Sequence, residues 1–197
     1  METFREALSK LFLPVGYFLA ALRINPHLIS FSGIVFGCAS AYFFISRHYG
    51  LAVVFFVLSG FSDVFDGMVA RKRGLTSPFG SFMDNFCSAY TDAPVFASLI
   101  IANLCNPWWG IAALIGTMTR LLTFRLDGLV PKEVAQALRS RFPYALAGKG
   151  DRITLIAFGT VFGYINEAVI VIAILSNLVA IHRSYYLYFW EKNAAKF

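Results

Sequence analysis

Charge is scarce in this chain. Only 14% of its 197 residues are Asp, Glu, Lys or Arg, against about 25% in soluble domains. Cysteine is nearly absent, with Cys38, Cys87 and Cys105 alone. Their odd number and wide spacing match neither a disulfide framework nor a zinc site, which leaves three small buried hydrophobes. No repeat, low-complexity tract or basic soluble domain is present, so a nucleic-acid partner is excluded. What the chain has instead is apolar surface: 58% of it is hydrophobic and its mean hydropathy is +0.65. That composition defines an integral membrane protein.

Several apolar runs approach the roughly 20 residues needed to cross a bilayer. They predict an all-α fold of six transmembrane helices, at about 27–46, 51–71, 80–102, 108–127, 152–167 and 168–188. Residues 2–22 read as an N-terminal amphipathic interfacial helix. Leu8, Leu11, Phe12, Val15, Leu19 and Leu22 recur at three- and four-residue steps, opposite Arg5, Glu6, Ser9 and Lys10. Ala20-Ala21-Leu22-Arg23 is a poor signal-peptide cleavage site. The chain 1–197 thus reads as one membrane domain, with the bundle over 27–188. If both termini are cytoplasmic, Arg47 alone of the 17 Lys and Arg residues falls on the far side. That asymmetry satisfies the positive-inside rule and explains most of the net charge of +6.

Against this background Asp63, Asp66 and Asp84 stand out. A carboxylate at the centre of an apolar span costs about 2.5–3.5 kcal/mol on insertion scales. Three of them within 22 positions demand a cation or water. Asp63 and Asp66 share one helix face with Gly67 and Ala70, and Asp84 follows Gly80 by one turn on the next span. The turn near Gly74–Pro78 lets the two helices run antiparallel, so the carboxylates converge near the cytoplasmic boundary. An all-oxygen cluster suits Mg²⁺, Mn²⁺ or Ca²⁺ rather than zinc. Gly67, Ala70 and Gly80 leave room for a ligand, and Arg71 supplies a fixed positive charge suited to phosphate. Together they suggest a metal-bound diphosphate site at the membrane surface.

The ordered set Asp63-x2-Asp66-Gly67-x2-Ala70-Arg71-x8-Gly80-x3-Asp84 resembles the signature of the CDP-alcohol phosphotransferase family. The resemblance implies transfer of a phosphatidyl- or archaetidyl-type group from a CDP-linked lipid to an acceptor hydroxyl, with release of CMP. It implies Asp63, Asp66 and Asp84 as ligands to Mg²⁺ or Mn²⁺, two ions in all, and Gly67, Ala70, Arg71, Ser77 and Gly80 as the CDP pocket. His27 and Ser30 fall in a stretch similar to the family's entry to the first span. Arg120, Arg125, Lys149, Arg152 and Arg183 flank spans four to six on the same side. As a group they resemble the acceptor-phosphate contacts of members that use inositol phosphate or glycerol phosphate. A homodimer in a prokaryotic cytoplasmic membrane is implied as well.

One position departs from the family pattern, which continues from Asp84 to a second Asp four residues on, the usual general base. Here that position is Ser88. A hydroxyl has no useful basicity near neutral pH and is a weaker, neutral metal ligand. Ser88 is consistent with an engineered inactivating change, with a homologue of altered activity, or with a base shifted one turn to Asp92; the first two are favoured. A binder of CDP-lipid without turnover, or a cation transporter, would also keep acidic residues in its spans.

Overall fold

The computed structural model describes residues 24–125 and 148–194, with the single positions 19, 21, 22 and 130. The expected interfacial helix 2–22 falls almost entirely outside the described residues, as do residues 131–147 and the side chain of Arg125.

Six helices form among the described residues: α1 (Pro26–Ile45), α2 (Tyr49–Lys72), α3 (Pro78–Ile101), α4 (Pro107–Arg125), α5 (Lys149–Phe162) and α6 (Ile165–Ala194). Three of them begin with the same device, a polar cap followed by proline at the first helical position. Asn25 accepts from the His27 amide at 3.0 Å, Ser77 from the Gly80 amide at 2.9 Å, and Asn106 from the Trp108 amide at 3.0 Å. The turns between helices use left-handed residues: Arg47 (φ 61°), Gly74 (φ 65°), Asn103 (φ 56°) and Gly163 (φ 79°).

Gly163 also corrects an expected boundary. The last two spans were expected to meet near 167–168. They break at Gly163 instead, where the left-handed residue ends α5 and the Tyr164 amide bonds back to the Gly159 carbonyl at 2.7 Å.

Helix α1 packs on α2 and α3, α4 on α6, and α5 bridges α2 to α6. Close approach of α1 to α3 requires Gly37: a Cβ there would lie 2.9 Å from the Thr91 carbonyl oxygen and 3.0 Å from its Cα. The apolar core gathers at one end of the bundle, around Phe44, Phe56, Phe96, Leu99, Ile156 and Ile172. The opposite end carries the acidic and basic residues.

Polarity is distributed inside out. Val35, Tyr42, Leu178 and Ile181 are all more than half exposed, while Ser40, Ser59, Thr91 and Ser98 are buried. The buried hydroxyls bond to carbonyls: Ser40 to Ala52 across helices at 2.8 Å, Thr91 to Cys87 and Ser98 to Val95 within a turn. Small hydroxyl residues inside and large apolar ones outside is the pattern lipid imposes. By length and composition α1, α2 and α6 (over Ile165–Trp190) are apolar enough to cross a membrane. At 14 residues, α5 rises only about 21 Å, short of the roughly 30 Å of hydrocarbon.

Candidate active site

The polar end of the bundle is built from the start of α1, the end of α2 and the start of α3. A cavity of about 660 Å³ opens between them. His27 and Ser30 line it from α1, Asp66, Gly67, Ala70 and Arg71 from α2, and Ser77, Gly80 and Asp84 from α3. Three- and four-residue steps on α2 and α3 therefore place the acidic residues and the small residues on one wall. Ser30 donates to Asp66 Oδ2 in a buried contact, tying α1 to α2. The Arg71 guanidinium folds back over Gly67, with Nη1 3.1 Å from where a Cβ would stand. Glycine at 67 thus makes the space that Arg71 occupies.

Sequence reasoning missed part of the wall: Asn25, Pro26, Arg73, Leu75, Thr76 and Ser81 also line the cavity. Arg73 Nη1 donates to the Ile24 carbonyl at 2.8 Å, fastening the α2–α3 turn to the chain entering α1. Position gave no signal for that contact beyond the basic run Arg71-Lys72-Arg73.

Asp63 and Ser88 are not on this wall. Ser88 Oγ donates to Asp63 Oδ2 at 2.7 Å, and Lys149 Nζ lies 2.8 Å from Asp63 Oδ1. Lys149 also donates to the Ser59 carbonyl at 3.3 Å. Both carboxylate oxygens of Asp63 are thus engaged by protein. Asp66 sits within electrostatic reach of both Asp84 and Asp63, and Asp63 lies off the cavity wall.

The basic residues expected as one phosphate-binding group separate. Arg152 is 1% exposed and paired with Asp92, itself 0% exposed. That buried pair joins α5 to α3. Lys149 pairs with Asp63, 86 positions away. Arg120 and Arg183 are buried at the same end of the bundle, with Arg183 Nη2 donating to the Thr123 carbonyl at 3.3 Å.

Fold and site together define an all-helical bundle, apolar on the outside, with one acidic, glycine-lined cavity at its polar end. The chain belongs to the CDP-alcohol phosphatidyltransferase family, whose sequence model matches residues 23–181. It is 26% identical over 171 residues to the archaetidylinositol phosphate synthase of Pyrococcus horikoshii, covering 87% of each chain. It is 25% identical over 199 residues to the archaetidylinositol phosphate synthase of Methanothermobacter thermautotrophicus, covering 98% of this chain and 95% of the relative. The fold is similar to that of Mycobacterium tuberculosis phosphatidylinositol phosphate synthase with CDP-DAG bound. The TM-score is 0.61 at 18% identity, over 91% of this chain and 94% of the other. A second structure of that synthase, in complex with manganese and citrate, matches with a TM-score of 0.59 at 18% identity, over 89% of this chain and 88% of the other.

The donor set suits a hard divalent cation. Asp66 and Asp84 line one cavity and are all-oxygen ligands. No group of three His, Cys, Asp or Glu side chains among the described residues is placed to hold a metal ion. Mg²⁺ needs no such cage: it is commonly held by one or two carboxylates, with substrate phosphate oxygens and water completing the shell. The residues present therefore fit an ion shared with a bound diphosphate.

Proposed function

We propose that this chain is a phospholipid-biosynthetic transferase. It moves a phosphatidyl- or archaetidyl-type group from a CDP-lipid to the hydroxyl of a phosphorylated alcohol, inositol phosphate or glycerol phosphate, releasing CMP. The observation that carries the reading is the single cavity that gathers Asp66, Gly67, Ala70, Arg71, Gly80 and Asp84. The names of the archaeal relatives support the acceptor class. All six helices would lie in a prokaryotic cytoplasmic membrane, with the cavity at the cytoplasmic edge and a homodimer as the assembly.

In this reading Asp66 and Asp84, with Asp63 off the cavity wall, hold Mg²⁺ or Mn²⁺. The metal supplies charge neutralisation of the diphosphate and of the departing CMP. Arg71 meets the diphosphate with a fixed cation, held over Gly67. Gly80, without a side chain, leaves the start of α3 open on the same wall. Ser30 fixes the Asp66 carboxylate. Arg120, Arg125, Lys149, Arg152 and Arg183 are the candidates for the acceptor's phosphate. Arg183→Ala is expected to abolish transfer while leaving CDP-lipid affinity unchanged; equal loss of donor binding would argue against an acceptor role.

A second reading has its own observation. Ser88 donates its hydroxyl hydrogen to Asp63, so it orients that carboxylate and takes no proton from an acceptor. A chain built this way would bind CDP-lipid and turn it over slowly or not at all. CMP release from CDP-lipid with a panel of acceptors separates the readings. The transferase releases CMP with one acceptor class, the binder releases none while retaining the lipid, and a cation transporter releases none and moves ions.

A further inference from the structure

We infer that this site takes one divalent cation per chain rather than the pair the resemblance implies, because the Lys149 ammonium stands at Asp63 where a second ion would bind. The inference rests on the metal–diphosphate reading above and concerns how this chain's own residues divide that site.

Asp63 is engaged at both oxygens. Lys149 Nζ lies 2.8 Å from Oδ1, and Ser88 Oγ donates to Oδ2 at 2.7 Å. The side chains of Lys149 and Asp63 are 11% and 18% exposed, so water screens the pair little. The ammonium's second contact, the Ser59 carbonyl at 3.3 Å, is another oxygen.

Lys149 is delivered there by a rigid device. It is the first residue of α5, whose start is closed by the Gly148 amide donating to Asp151 Oδ2 at 3.0 Å. One turn later Arg152 pairs with Asp92 on α3. Two cations three positions apart on one helix therefore each engage a carboxylate from a different neighbour, Asp63 on α2 and Asp92 on α3. The pinned Arg152 holds the helix start in place and with it the Lys149 side chain.

The local charges agree. A second ion at Asp63 would meet a like charge at contact distance. On its other side it would find the neutral Ser88 hydroxyl where a carboxylate would be required.

The test is a count of bound Mn²⁺ on the detergent-purified chain saturated with CDP, read from the free-ion electron paramagnetic resonance signal. Wild type is expected to bind one ion per chain tightly, and Asp66→Asn to lose it. The double variant Ser88→Asp/Lys149→Met is expected to bind two. Lys149→Gln alone is expected to add a second, weaker step, which keeps the test usable if the double variant does not fold. Two ions on wild type with CDP bound would overturn the inference and leave the metal–diphosphate reading standing. A folded double variant that binds CDP with a single ion would also overturn it. If wild type binds neither CDP nor Mn²⁺, the underlying reading fails and the inference with it.

Discussion

The Asp92–Arg152 pair offers the sharpest energetic prediction. Both side chains are withdrawn from solvent, at 0% and 1% exposure, and they join α3 to α5. Removing one partner breaks a buried ion pair, at about 3–5 kcal/mol. Asp92→Ala and Arg152→Ala should each destabilise by that amount. For a chain of this length, with about 2–4 °C per kcal/mol, the melting temperature falls by on the order of 10 °C. Asp92→Leu/Arg152→Met, which removes both charges and refills the volume, should return to within about 1 kcal/mol of wild type or exceed it. Thermal unfolding in detergent, followed by circular dichroism over the full double-mutant cycle, measures the coupling directly. Single variants as stable as wild type, or a double variant that merely adds the two losses, would refute the pinning role assigned to the pair.

Three further substitutions probe other parts of the structure. Gly37→Ala places a Cβ against the Thr91 backbone at 2.9–3.0 Å, so α1 and α3 must part; thermal unfolding should show a loss of about 1–3 kcal/mol. Gly67→Ala crowds Arg71 Nη1, 3.1 Å from the new methyl. CDP affinity measured by calorimetry should fall about tenfold, equivalent to 1.4 kcal/mol, with the fold intact. Ser77→Ala removes the cap on the Gly80 amide and should lower stability by about 1 kcal/mol.

Much of this architecture was legible because local signals wrote it. Asn25-Pro26 and Ser77-Pro78 mark helix starts through capping chemistry that involves only neighbouring residues. The spacing of Asp66, Gly67, Ala70 and Arg71, and of Gly80 and Asp84, projects them onto common helix faces. That is why His27, Ser30 and Ser77 join them around one cavity. Long-range pairing was not legible. Asp63 meets Lys149 across 86 positions and Asp92 meets Arg152 across 60, and nothing in the spacing of either pair announces it. The burial of Arg152 was not legible either, because a sequence shows charge and not burial. The α5–α6 break was misplaced for a different reason. Phe162, Tyr164 and Ile165 flank Gly163, so hydropathy runs on to Asn166-Glu167, beside the expected boundary, while the left-handed backbone at Gly163 sets the actual turn.

In the proposed function Ser88 stands where the resemblance implies a carboxylate base, and CMP release tests that most directly. Wild type and Ser88→Asp would be compared on CDP-diacylglycerol and its archaeal ether analogue, with inositol phosphate and glycerol phosphate as acceptors and Mn²⁺ present. A carboxylate at 88 supplies the missing base, a contribution of about 10²–10⁴ in rate. The account predicts acceptor-dependent CMP release that rises by that order in Ser88→Asp. A folded Ser88→Asp protein that binds CDP and Mn²⁺ yet releases no more CMP than wild type would contradict it.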